Sequence, residues 1–397
     1  MDKLKKLNLI QRLLLAITLG IILGQLRFVP EVVFEIIITI SGLFGTILNF
    51  ILPLMVIGFI VGGITKLSVN AGRLLTLTMG LAFASLLFAA SISFVFGQAV
   101  FPLFIRTVIP DLFDTTAGVS PLFSLDLKPF VTVAEATLFS FIFGIGISIL
   151  QSQGKGDTLL NFFLDLQEVI IIVLDRFIIP LLPLYVFSNF MNLSYSGSIV
   201  QIFSLFAPVY ILILLMHFGY LFVMYFVGSR FSKISFGNII KNVLPAYLTA
   251  FGTQSSATTI PISINSAKEN LIDDEVAEFL IPLTATIHLP GSMIATSSLI
   301  LALVMITGGN TSVVVMFPFY LTLAIALVAA PGVPGGAIMT AIPYLGLVGL
   351  PTEGTITALL ITLYLAQDSF GTAINVSSDQ GIAPIVQRYY DNYFKKK

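Results

Sequence analysis

The chain has 397 residues, 57% of them hydrophobic and only 10% charged, with a mean hydropathy of +1.02, a balance that excludes a soluble globular domain. A formal net charge of −1 provides no basic surface for nucleic acid, and the lack of cysteine excludes disulfides and thiolate metal sites. No Gly-Lys-Ser/Thr phosphate loop, metal cluster or nucleophile–base pair is present, so neither an ATP-driven pump nor an enzyme is expected.

Apolar stretches of about 20 residues, enough to cross some 30 Å of hydrocarbon, recur along the chain. The N-terminal MDKLKKLNLIQRLLLAITLGIILGQL has the charge-then-apolar order of a signal peptide. Its apolar part is long and lacks a small-residue cleavage site, so it reads as a retained first membrane helix. The pattern predicts helices over Asn8–Arg27, Pro30–Thr65, Arg73–Phe104, Phe130–Gln151, Leu159–Met191 and Ser198–Gly228. Alternate linkers are basic: Lys3, Lys5, Lys6 and Arg12, then Lys66 and Arg73, then Lys155, then Arg230, Lys233 and Lys241. The positive-inside rule places these linkers and both termini in the cytoplasm, and the Arg106–Leu127 loop, with Asp111, Asp114 and Asp126, outside.

Beyond Phe236 the pattern changes. Two apolar segments are broken in the middle, the first by Gly252–Pro261 and the second by Pro331–Gly336. A through-helix would leave backbone groups unpaired at each break, so both read as re-entrant hairpins whose tips meet at a site. Between them a helix is interrupted at His288–Ser292, where Pro290 and Gly291 free carbonyls around Thr286 to Leu289 as ligands. Paired interrupted segments near the midplane point to a transporter binding site. A hairpin followed by a polar-centred helix occurs twice between Phe236 and Gln387, as in an inverted repeat.

The last helix carries the polar stretch AQDSFGTAINVSSD (Ala366–Asp379). Asp368, Thr372, Asn375 and Asp379 are spaced by four, three and four residues and so share one face. A carboxylate at membrane depth costs at least about 2.5 kcal/mol, so this face is expected to line a substrate or ion site. A polar seam between helices is the alternative. Of the two histidines, His217 reads as a packed helix residue. His288, at the break, is open to three roles: a proton carrier, since histidine changes charge between about pH 5 and 8, a structural hydrogen-bond donor, or a substrate contact. Asp175, Arg176, Glu35 and Glu135 read as structural, and Tyr344 and Tyr364 as packing or lipid contact.

Four stretches, TAFGTQSSATTIP, IPLTATIHLPGS, APGVPGGAIM and QDSFGTAINVSSD, give the chain a resemblance to the dicarboxylate/amino acid:cation symporter family of glutamate and neutral amino-acid transporters, as a divergent prokaryotic-type member. The resemblance implies an all-α membrane protein of eight transmembrane helices plus two re-entrant helical hairpins, an elevator-type glutamate-transporter-like fold working as a homotrimer. Scaffold helices would lie in 1–70 and 106–195. The transport unit would comprise 71–105, 196–235, the first hairpin 236–272, helix seven 273–308, the second hairpin 309–350, and helix eight with a cytoplasmic tail 351–397.

Carried over by position, Asp368 falls where the family binds the substrate amino group, Thr372 and Asn375 fall among other substrate contacts, and Asp379 falls on a sodium-site carboxylate. Ser255 and Ser256 match the first hairpin's serine-rich tip, and Val333 to Gly335 the second hairpin's tip, the extracellular gate. Acidic-substrate members place an arginine where this chain has Gly371 or Gln254. With no cation to grip a second carboxylate, a small neutral amino acid is expected. The family's Asn-Met-Asp-Gly-Thr signature stands here as His288-Leu289-Pro290-Gly291-Ser292, and of the third-helix hydroxyls only Ser85 remains. One sodium site is thus expected to be lost. Coupling would fall to Thr286, His288, Asn375 and Asp379, with sodium at Asn375 and Asp379 or a proton as the only cofactor. A sodium-independent, proton-coupled carrier or exchanger is the alternative. An ion channel or membrane receptor is a reading of a different class, which has no use for two opposed gates.

Overall fold

In a bilayer every backbone group must be satisfied within the chain, so apolar runs become helices. The computed structural model describes residues 9–26, 28–68, 73–105, 119–197, 199–328, 330 and 335–393, and its regular structure is entirely helical. Seven helices precede the first break: α1 (Leu9–Gln25), α2 (Glu31–Ser68), α3 (Arg73–Val100), α4 (Val133–Ser152), α5 (Asp157–Val173), α6 (Ile179–Tyr195) and α7 (Ile199–Phe231).

Two boundaries differ from expectation for local reasons. α4 starts at Val133, not Phe130, because Thr132 and Glu135 form a capping box: the Thr132 N–H donates to Glu135 Oε2 at 2.7 Å and Thr132 Oγ1 accepts from the Glu135 N–H at 3.3 Å. These bonds give Glu135 a capping role at the start of α4. The fifth predicted helix is α5 and α6 joined through a π-turn at Leu174–Ile178. There the Ile179 N–H donates to Leu174 O, and Pro180 behind it has no N–H, so the ladder slips by one residue. The side chain of Asp175 lies outside the described residues.

The helices form two packed groups. α1 crosses α6 at Gly20 and Gly24, where an added Cβ would stand 2.5 Å from Phe187 O and 2.3 Å from Met191 O. Small residues four apart let the two backbones approach, as membrane helix pairs require. α2 packs on α4, α5 and α6, with Gly58 facing Ile170 and Gly62 facing Gln167. The second group surrounds α14 (Thr355–Tyr393), a helix of 39 residues packed against α7, α8 (Phe236–Thr253), α10 (Asp274–Ile287) and α11 (Pro290–Ile306).

Both broken segments are hairpins. α8 packs on α9 (Ser256–Glu269) through a turn at Gln254, which holds φ 55°, a left-handed value that few non-glycine residues adopt. The second hairpin runs from α12 (Val313–Val328) into α13 (Gly336–Ala341), which continues as a 3₁₀ segment, Ile342–Val348. Its tip at 331–334, including Val333, lies outside the described residues. The interruption between α10 and α11 is narrower than predicted: only His288 and Leu289 leave the helix, because Pro290 occupies the first helical position, where its missing N–H costs nothing. Among the described residues five helical spans are long and apolar enough to cross a membrane, and α14 falls outside that count because its middle is polar.

Candidate functional site

The polar face of α14 is buried along its whole length. Asp368, Thr372, Asn375 and Asp379 are each at most 6% exposed in a helix read as spanning a membrane, so each needs a partner. Those partners divide the face into two ends.

At the Asp368 end the turn of the first hairpin and the start of α13 come together. The Gly335 N–H donates to Asp368 Oδ2 at 2.9 Å, and Gln254 Nε2 donates to the hydroxyl of the next residue, Ser369, at 3.0 Å. Gly335 needs its left-handed φ of 76°, and a Cβ there would strike Leu365 at 2.7 Å. A cavity of about 40 Å³ opens beside Asp368, bounded by Gln254, Ser256, Tyr364, Thr372 and Asn375. Its lining has hydroxyls, amides and one carboxylate, and no Lys, Arg or His.

The other expected residues at this end fall nearby in different roles. Ser255 caps α9, its Oγ accepting from the Thr258 N–H at 3.3 Å, and only Ser256 of the serine pair faces the cavity. Gly371 is a packing position: a Cβ there would meet the Gly291 and Ser292 backbone at 3.7 Å. Gly291 is the stricter glycine, with a Cβ meeting Gly371 O at 2.3 Å, so α11 and α14 touch backbone to backbone. Tyr364, read from sequence as packing or lipid contact, is instead part of the cavity wall, and its hydroxyl donates to Ser292 Oγ at 3.0 Å.

Asn375, which also borders the cavity, has its side-chain amide bonded to α11. Its Oδ1 accepts from the Gly291 and Ser292 N–H groups at 2.8 and 3.2 Å, and its Nδ2 donates to Ser292 Oγ at 3.0 Å. It thereby caps α11 from outside, using both lone pairs of its oxygen on N–H donors.

At the Asp379 end one carboxylate oxygen is taken up by a side chain. His288 Nδ1 lies 2.8 Å from Asp379 Oδ1, and its Nε2 lies 2.9 Å from Ser85 Oγ, which bonds in turn to the Tyr220 hydroxyl. Imidazole and carboxylate are 0% and 1% exposed. Thr284, one turn before His288, lies beside the same carboxylate. Thr286 was the expected ligand, but its hydroxyl turns back to Leu283 O at 2.8 Å and its side chain borders the Asp368 cavity. Sequence reasoning missed Thr284 and Tyr220. Thr284 was legible as the residue four before His288; Tyr220 lies three residues after His217, a spacing that names no partner.

His217 is packed, as expected, and its Nε2 donates to Gly291 O at 2.9 Å. Both histidines therefore converge on the α10–α11 break.

The profile of the sodium:dicarboxylate symporter family matches residues 9–389. Excitatory amino acid transporter 2 of Homo sapiens is 29% identical over 272 residues, covering 66% of this chain and 45% of that protein. Excitatory amino acid transporter 1 of Ambystoma tigrinum is 27% identical over 262 residues, 65% of this chain and 47% of its own. The chain thus spans about half the length of these animal relatives. The serine/threonine transporter SstT of Streptococcus agalactiae serotype III (strain NEM316) is 26% identical over 407 residues, 94% of each chain. The family name implies sodium as coupling ion, yet at the Asn375–Asp379 position both Asn375 oxygen lone pairs and Asp379 Oδ1 are already bonded within the protein. With its profile matched almost end to end, the chain belongs to the sodium:dicarboxylate symporter family.

Proposed function

We propose that this protein carries a small neutral amino acid across the membrane, coupled to a cation gradient. The observation that carries the reading is the Asp368 cavity, which holds one carboxylate for a substrate ammonium and no cation for a second carboxylate. The N-terminal end of α9, where Ser256 lines the cavity, is offered as the donor for the substrate's own carboxylate. The cavity's hydroxyls suit a substrate of the serine class, in keeping with the full-length relative named for serine and threonine. α1, α2 and α4–α6 serve as scaffold, and α3 with α7–α14 as the moving unit. The two packed groups support that division, and a homotrimer and an elevator motion go with it as the family's way of working. The positive-inside pattern puts both termini in the cytoplasm of a cell-membrane protein.

A second reading concerns the cation and rests on His288. Its imidazole fills the space beside Asp379 and is bonded at both nitrogens. Both charge states are satisfied there. Neutral, the ring donates from Nδ1 to Asp379 and accepts the Ser85 hydroxyl at Nε2; protonated, Nε2–H donates to Ser85 Oγ, which has lone pairs to spare. The groups facing the ring are Ser85 from α3, Tyr220 from α7, Thr284 from α10 and Asp379 from α14. On this reading His288 carries the coupling proton where relatives bind a sodium ion.

A thermal-shift screen of the proteinogenic amino acids, with and without sodium at about pH 5.5 and 7.5, tests both readings, since stabilisation reports occupancy. Small neutral amino acids are expected to stabilise the protein without sodium. Strong stabilisation by aspartate would overturn the neutral assignment.

A further inference from the structure

The last turn of α7, the α9–α10 turn and the end of α14 enclose a cavity of about 510 Å³ that transport does not use. Arg230, Lys233 and Arg388 line it, and all three are exposed. None is ion-paired among the described residues, where the pairs are Lys128–Asp126, Lys268 with Asp274 and Glu278, and His288–Asp379. Aromatic rings hold the two guanidiniums instead: Arg230 lies 4.7 Å over Phe226 and Arg388 5.5 Å over Phe231. Stacking fixes the plane of a guanidinium and leaves its N–H edge open for an anion. Two carboxylates also line the cavity, and both turn to Gln387. Its Nε2 donates to Asp273 Oδ2 at 2.7 Å and to Asp391 Oδ1 at 2.9 Å, while its Oε1 accepts the Asp273 N–H.

A second observation distinguishes the ligand. From Arg230 back along α7, the side chains of Phe226, Phe222, Phe218, Leu215 and Ile211 are all exposed. At steps of four, four, three and four they form one stripe, about 22 Å long at 1.5 Å per residue. That exceeds the roughly 15 Å depth of one leaflet. An apolar stripe ending in a cluster of unpaired cations matches a molecule with an anionic head and a long apolar tail.

We infer that this cavity binds the phosphate of an anionic phospholipid, with the headgroup among Arg230, Lys233 and Arg388 and an acyl chain along the α7 stripe. The shared chemistry is phosphate, and a free phosphate would use the same cations without the stripe. The lipid reading rests on the membrane placement of α7 and not on the substrate or the coupling ion. Each cation contributes about a fivefold preference for anionic over zwitterionic lipid.

The test uses the full-length protein in detergent micelles, with phosphatidylglycerol or phosphatidylcholine added and retained lipid counted by native mass spectrometry. The wild type should retain phosphatidylglycerol preferentially. Arg230→Gln, Lys233→Gln and Arg388→Gln should each weaken that preference about fivefold, and Lys155→Gln, at an exposed cation elsewhere, should not. Lys233→Gln alone suffices if a guanidinium variant folds poorly, because Lys233 makes no side-chain bond among the described residues. Unchanged phosphatidylglycerol preference in the Lys233 and triple variants would overturn the inference. So would protection from melting by millimolar inorganic phosphate equal to that by the lipid in wild type, which would mark a free-anion site.

Discussion

Asp368 and Asp379 stand on one face of one helix, yet the structure treats them oppositely. Asp368 accepts the Gly335 N–H, has Tyr364 and Thr372 beside it, and looks into a cavity that can admit a ligand. Asp379 is sealed against an imidazole that is itself bonded on its far side. The lesson is that burial alone does not define a binding carboxylate. What separates the two is whether the partner belongs to a hairpin tip, where the chain can give way, or to a packed break between helices.

The largest effect should come from the sealed end. His288→Leu leaves the Asp379 carboxylate buried without its partner, a change that costs about 3–5 kcal/mol, and melting in detergent should drop sharply. The double variant His288→Leu with Asp379→Leu should recover most of that loss, because it removes both members of the pair; failure to recover would show that the pair matters for more than its charge.

At the cavity end, Asp368→Asn should leave melting nearly unchanged and weaken amino-acid binding by between about tenfold and about a hundredfold, the worth of a charge-assisted contact. Calorimetry reads it, and unchanged affinity would remove Asp368 from the site. Next comes the glycine pair. Gly291→Ala forces a Cβ to within 2.3 Å of Gly371 O and should destabilise by about 1–3 kcal/mol, whereas Gly371→Ala, with 3.7 Å of room, should cost little. Equal effects at the two positions would contradict the packing described. Smallest is Tyr364→Phe, which deletes the bond to Ser292 and should cost about 1 kcal/mol while preserving the cavity's shape.

Much of this was legible in the sequence because membrane chains leave few places for polarity. The two hairpins, the break at His288 and the polar face of α14 were all marked by glycine, proline or polar residues set in apolar surroundings. The uses of those residues were less legible. Asn375 reads from its spacing as a ligand, yet it caps α11, because the break at Leu289 leaves N–H groups of the next helix facing it, a consequence of tertiary approach that no local pattern encodes. Thr286 lies two residues from Thr284, the one beside Asp379, and a difference of two residues turns a side chain to the other side of a helix. Gly371 reads as a missing anchor, yet a Cβ there has 3.7 Å of room, and it is Gly291 whose missing side chain lets α11 and α14 touch.

The central claim is that an imidazole has taken the place of a cation beside Asp379, while Asp368 keeps a neutral amino acid. Uptake of labelled serine into proteoliposomes, with sodium replaced by choline and an inward proton gradient imposed, tests it most directly. The account predicts saturable uptake that a protonophore collapses and that His288→Gln makes insensitive to the gradient. Uptake that is absent without sodium and restored by it, with no response to the proton gradient, would contradict it.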